Sequence, residues 1–309
     1  QAIMVTEFTD NATRTAYQSK DMEMRGFTIV GNTDVVLPGS ACLIGLFVTS
    51  CADTVVSDVD VNDINWFTPA AVDPTQGLGI ITRYCNNVDV IRCNPKRAQY
   101  ECLGMFDNSN NTRFIDCYPE DAGRTTMQVH RGCVDSSIIR GHSRNSTFLL
   151  ASDEPTKGLT VHGVPGDPII NLRVVDHDVT CEGAGTGAGI DWFGEQANCS
   201  YSGRAVSDNG PAAIFYMGPG GRVYGSFVSH ASGAVYAVTI RGEGSLFKDL
   251  EVSALGCRGV NAWTLTGSNI ESLNVVAADI ALRLDDVENI EIVNPRVKSI
   301  SGIGFITSA

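Results

Sequence analysis

The chain repeats itself, and a short internal repeat constrains a fold more tightly than any composition can. Tyr84-Cys85-Asn86-Asn87-Val88-Asp89-Val90-Ile91-Arg92-Cys93 is answered by Asn108-Ser109-Asn110-Asn111-Thr112-Arg113-Phe114-Ile115-Asp116-Cys117, an offset of 24 residues. A second step of 24 lands on Gly132-Cys133-Val134-Asp135-Ser136-Ser137-Ile138-Ile139-Arg140-Gly141. In the last third, Gly259-Val260-Asn261-Ala262-Trp263 precedes Ser268-Asn269-Ile270. Its echo is Ile280-Ala281-Leu282-Arg283-Leu284, which precedes Glu288-Asn289-Ile290-Glu291-Ile292. Lines also restart near Ala212, Ala234 and Arg258, so a period of 22–24 residues runs from Gly26 to the end.

A unit this short holds two or three strands of about four to six residues, which cannot bury their inward faces alone. Stacking the units at roughly 4.7–4.9 Å pairs each strand with its equivalents above and below. Alternation as in Val88-x-Val90 and Ile270-x-x-Leu273-x-Val275 sends side chains in and out by turns. The expected fold is all-β: a right-handed parallel β-helix of about ten coils over residues 26–309. A leucine-rich repeat has a similar period but needs an L-x-x-L-x-L frame, which is absent, and an antiparallel sandwich would not restart at this interval. Residues 1–25 stay outside the pattern. Thr9-Asp10-Asn11 reads as a helix N-cap and Ala12 to Met24 as a short helical cap over the open edge of the first coil.

Thirty-two glycines and only 18% charged residues suit many tight turns and leave little room for amphipathic helices. A net charge of −13 argues against nucleic acid, whose phosphates need a clustered basic surface. No run of 18 apolar residues offers a membrane span, and Gln1 to Ala16 lacks the pattern of a signal peptide. The ten cysteines follow the repeat: Cys85 and Cys133 sit two periods apart with Ser109 between, and Cys93 and Cys117 form a second ladder. Free thiols stacked in the interior as small hydrophobes are expected, which suits folding in a reducing compartment; disulfides would suit a secreted enzyme. No metal or cofactor is expected.

Function on a solenoid concentrates where an insertion breaks the coil. Cys51 and Cys85 occupy equivalent positions but lie 34 apart, which places extra residues within Asp63 to Gly77. Lys157 and Cys199, 42 apart, bracket a larger break within Gly163 to Ala188. Within it, Val174 to Val179 reads as a strand carrying Asp176-His177-Asp178. Residues i and i+2 share a face, so both carboxylates point the same way, roughly 6–7 Å apart at the backbone. Asp191-Trp192-Phe193-Gly194-Glu195 follows. Glycoside hydrolysis needs two carboxyls, about 5–5.5 Å apart for retention and 6.5–9.5 Å for inversion. Asp176, Asp178, Asp191 and Glu195 are therefore candidate catalytic residues. Trp192 could stack on a sugar, and His177 could bind substrate or face the interior. In the first break, roughly 19 Å away by strand spacing, Asp63 and Trp66 are binding candidates. Trp66 serves equally well as a plug over the core.

The restarting lines with Asn-Val-x-Val and Asn-Ile-Glu-Ile turns resemble the pectate-lyase-like β-helix superfamily over residues 26–309. Polygalacturonases of that superfamily carry N-T-D, D-D, G-H-G and R-I-K in order. Here Asn32-Thr33-Asp34, Gly141-His142-Ser143, Asp285-Asp286 and Arg296-Val297-Lys298 depart from that order and from the third motif, so that active site is absent. In acidity and cysteine usage the chain is most similar to bacteriophage tailspikes. The resemblance implies a homotrimer, on a virion or otherwise extracellular, that binds and hydrolyses bacterial surface polysaccharide. A secreted lyase or hydrolase acting on pectin or other uronates, and a non-enzymatic virion appendage or adhesin, are the alternatives.

Overall fold

The computed structural model describes residues 3–4, 19–31, 43–64, 77–146, 156–182 and 187–308. These form a parallel β-helix. Each coil lays one strand in a twelve-stranded sheet, the first sheet, and then runs through a sixteen-stranded second sheet. One full coil runs Gly77–Arg83 in the first sheet, Asn86–Ile91 and Lys96–Ala98 in the second, and returns as Glu101–Phe106 to the first.

The chain turns because short polar residues adopt a left-handed backbone at fixed rungs. Asp53, Asn87, Asn111, Asp135, Asn171, Asn198, Gly220, Gly244, Gly267 and Asn289 stack at one corner, each with φ between 47° and 73°. Only Gly, Asn and Asp visit this region at little cost, which is why the repeat carries them there. Side chains link neighbouring rungs, as in Asn87 Nδ2 donating to Asp53 and Asn171 Nδ2 to Asp135, both at 2.7 Å.

Inward positions form continuous apolar ladders. Leu46, Ile80, Leu103, Met127, Leu159 and Ile190 pair rung by rung along the first sheet, all fully buried. Farther along, Trp192, Tyr201, Phe215 and Phe227 fill the interior with rings 5.6–6.2 Å apart. The nine described cysteines are free and buried, packing as small apolar groups; Cys42 lies outside the described residues.

Two expectations need correcting. No helix occurs among the described residues, and 19–24, expected as the end of a helical cap, instead lead into parallel pairing: Ser19–Lys20 and Glu23–Val30 both join Cys51–Ile64. Residues 12–18 lie outside the described part. The second break is also not one insertion. Arg173–Cys181 is an ordinary rung, in register with Ser137–Asn145, and the extra residues fall before and after it, because Thr125 pairs Lys157 and Leu159 pairs Ile190. Lys157 and Cys199 are thus not equivalent positions.

Candidate functional site

The sequence candidates disperse over the solenoid. Asp176 has φ 50° and ends a corner ladder of alternating charge, Asp58–Arg92–Asp116–Arg140–Asp176. Arg92 grips Asp58 through two nitrogens at 2.7 and 2.8 Å, and Arg140 grips Asp116 at 2.9 and 3.1 Å. These guanidiniums hold Asp58 and Asp116 below the usual carboxylate range. The left-handed turn at Asp176, with a bulge between Val174 and Val179, breaks strand alternation, so Asp176 and Asp178 do not share one face as expected. Asp178 lies beyond the corner, accepting the Arg204 N–H at 3.1 Å.

His177 is fully buried, not in contact with solvent. It fills the space left by Gly141 on the coil below and shares a 2.8 Å hydrogen bond with Ser143. Burial pushes its pKa down to about 3. Trp192 is also wholly interior, its indole N–H donating to Gln196, so it cannot stack on a sugar. Asp63 sits at another left-handed corner, clamped by Arg97 at 2.6 and 2.9 Å. Trp66 lies outside the described residues.

Only Asp191 and Glu195 reach a common surface, the outer face of the first sheet. There the structure builds what the sequence reading missed, a ladder of rings. Arg83, Phe106, His130, His162 and Phe193 pair in register, followed by Tyr216, Arg241 and Trp263. Ring centroids are 5.9 Å apart for Phe106–His130, 5.0 Å for His130–His162 and 4.1 Å for His162–Phe193. The Arg241 guanidinium lies 5.1 Å from the Tyr216 ring and 4.2 Å from the Trp263 ring. Tyr216 and Trp263 remain 41% and 44% exposed. Seven steps between coils make this row roughly 34 Å long. Burial lowers the pKa of His162 and, to about 4, that of His130, so both imidazoles are neutral rings at neutral pH.

Two concavities flank the row. At its N-terminal end, a groove of about 660 Å³ is lined by Phe47, Ile81 and Phe106 with Glu101, Arg124 and His130. Glu101 is 4% exposed; burial raises its pKa to about 7 against the pull of Arg124, 3.6 Å away. At the other end, a cleft of about 870 Å³ is lined by Glu195, Tyr216, Arg241, Glu243 and neighbouring turns. Glu195 accepts the Gly166 N–H at 3.3 Å. Asp191 lies between the concavities, paired with Lys157 at 2.7 Å. A third concavity, about 610 Å³ on the second sheet, holds several paired charges, with Glu120 bound to Lys96 at 2.9 Å and to Arg144 at 2.7 Å.

One signal for the ladder was present: Phe106 and His130 are one period apart. Insertions stretch the next steps to 32 and 31 residues, which hid His162 and Phe193 from a fixed-period reading.

No family model and no curated protein matches the sequence. Solved structures do resemble the fold. The surface protein and adhesin PfbA of Streptococcus pneumoniae aligns with a TM-score of 0.52 at 11% identity, over 91% of this chain and 84% of that one. The A-module of the Azotobacter vinelandii mannuronan C-5 epimerase AlgE4 gives 0.49 at 11%, over 94% and 91%. The Dettilon tailspike protein gives 0.45 at 9%, over 88% and 61%. These are similarities of fold alone, that of the right-handed parallel β-helix.

Proposed function

We propose that this protein binds a polysaccharide along the ring ladder of the first sheet and hydrolyses it at the cleft beside Tyr216. The ladder carries the reading. A pyranose ring has an apolar C–H face that packs on an aromatic ring, and the exposed Tyr216 and Trp263 offer such surfaces at the end of a row whose other rings, His162 and Phe193 among them, pack on one another. The second-sheet groove offers mainly charges already paired with one another.

For hydrolysis we assign Glu195, with Glu243 as its partner. Both are exposed and line the same cleft. They stand two coils apart, roughly 10 Å at the backbone. The coil between contributes Met217, which is turned into the core, and Gly218, which has no side chain. Side-chain reach brings such a pair into the separation of about 6.5–9.5 Å that admits a water, one carboxyl protonating the leaving oxygen while the other activates that water. Asp191, beside the ladder, takes a binding role. Asp176, Asp178 and Asp63 take structural ones. In its finest form the reading is tailspike-like: a homotrimer on a virion or outside the cell, acting on bacterial surface polysaccharide.

The test is incubation with a panel of bacterial capsular and lipopolysaccharide glycans, following products by mass spectrometry and ultraviolet absorbance. Shortened, saturated products are expected. Glu195→Gln and Glu243→Gln should each lower the rate about 100-fold or more while leaving binding intact, and Asp176→Asn and Asp178→Asn should leave it unchanged. Unsaturated, absorbing ends would make the protein a lyase and overturn the carboxyl pair. Binding without cleavage would make it an adhesin, and no binding would overturn the whole reading.

A further inference from the structure

Most guanidiniums on this acidic chain are spoken for. Arg92, Arg97, Arg113 and Arg140 each hold an aspartate on a neighbouring coil, and Arg83, Arg258 and Arg283 are also ion-paired. Arg241 is different. Its Nε donates to Thr264 Oγ1 at 3.1 Å, its plane rests between the Tyr216 and Trp263 rings, and among the described residues it has no carboxylate partner. Glu195 and Glu243 line the same cleft, yet among the described residues neither forms an ion pair with it. The rings fix the guanidinium in place, and the cleft opens beside it.

We infer that Arg241, framed by Tyr216 and Trp263, is a subsite for an acidic sugar unit, whose carboxylate or phosphate pairs with the guanidinium while its ring packs on the flanking aromatics. This rests on the proposed glycan reading and narrows it to acidic polysaccharides. An ordered, unpaired guanidinium offers its remaining N–H groups as a fork matched to either anion, at little further cost in side-chain entropy. A neutral sugar would gain the ring contacts and leave the charge unanswered.

The experiment measures equilibrium binding of wild type, Arg241→Gln and Tyr216→Ala to three probes: a uronic-acid polysaccharide, its carboxyl-reduced form, and a phosphodiester-linked capsular glycan. Wild type should bind one charged probe about tenfold or more tightly than the reduced one, with a preference that weakens as salt rises. Preference for the first charged probe identifies a carboxylate, and for the second a phosphate. Arg241→Gln should erase the preference and keep the residual neutral binding, whereas Tyr216→Ala should weaken charged and neutral probes alike. An unchanged melting temperature keeps the Arg241→Gln result interpretable. Equal wild-type binding of charged and neutral probes, or a preference that survives Arg241→Gln, overturns the subsite. No binding of any glycan instead overturns the reading beneath it.

Discussion

At the scale of single residues, two positions expose the physics most clearly. Glu101 carries an ionisable group into a nearly closed environment, with a folded-state pKa of about 7 against an ordinary 4.5. Stability from its neutral form is fully present below pH 4.5 and is lost as pH rises through 7. Denaturation at pH 6 and pH 8 should therefore find the wild type weaker at pH 8, and Glu101→Gln should remove most of that difference, about 1 kcal/mol. A Gln variant with the wild-type pH slope would place the titration elsewhere. Asn171 tests the corners: its backbone is left-handed, with φ 55°, and its amide holds Asp135. Asn171→Ala should cost about 1–2 kcal/mol and Asn171→Gly less, since only the alanine pays the steric penalty.

At the scale of elements, a coil is legible wherever its turns recur at the period, because Asn, Asp and Gly mark left-handed corners and apolar residues mark the inward ladder. The breaks were legible less well. Equal spacing equated Lys157 with Cys199, whereas pairing sets Lys157 against Thr125 and Cys199 one residue before the Arg173–Ser200 pair. The Asp176-His177-Asp178 run misled for a related reason. Reading i and i+2 on one face assumes extended backbone, but a single left-handed residue turns the chain onto the next side, and nothing in the composition of the run announces it. Charged ladders such as Asp58–Arg92 and Asp116–Arg140 need two coils to be seen at all. Their carboxylates are held below the ordinary range, so this contribution is present at neutral pH and lost on acidification. Within the inward ladder, Met127→Ala should cost about 2–5 kcal/mol in chemical denaturation, because close-packed rungs above and below cannot collapse onto the void.

At the scale of the whole molecule, the solenoid turns short-range order into a long surface. A side chain placed once per coil becomes a row along the axis, and which row is functional depends on what its members leave unsatisfied. The second sheet spends its charges on neighbouring coils. The first sheet presents rings, a buried acid at one end, and an unpaired guanidinium with two carboxyls at the other. That division is the central claim, and it is tested most directly by comparing exposed rings on the two sheets. Tyr216 and Trp263 stand on the first sheet, and Tyr118, 51% exposed, stands on the second. Binding to a glycan that the wild type recognises should be measured for Tyr216→Ala, Trp263→Ala and Tyr118→Ala. The account predicts about tenfold weaker binding for each of the first two, from the loss of about 1 kcal/mol or more of ring contact, and no change for the third. Loss of binding in Tyr118→Ala with the other two unaffected would contradict it and move the site to the second sheet.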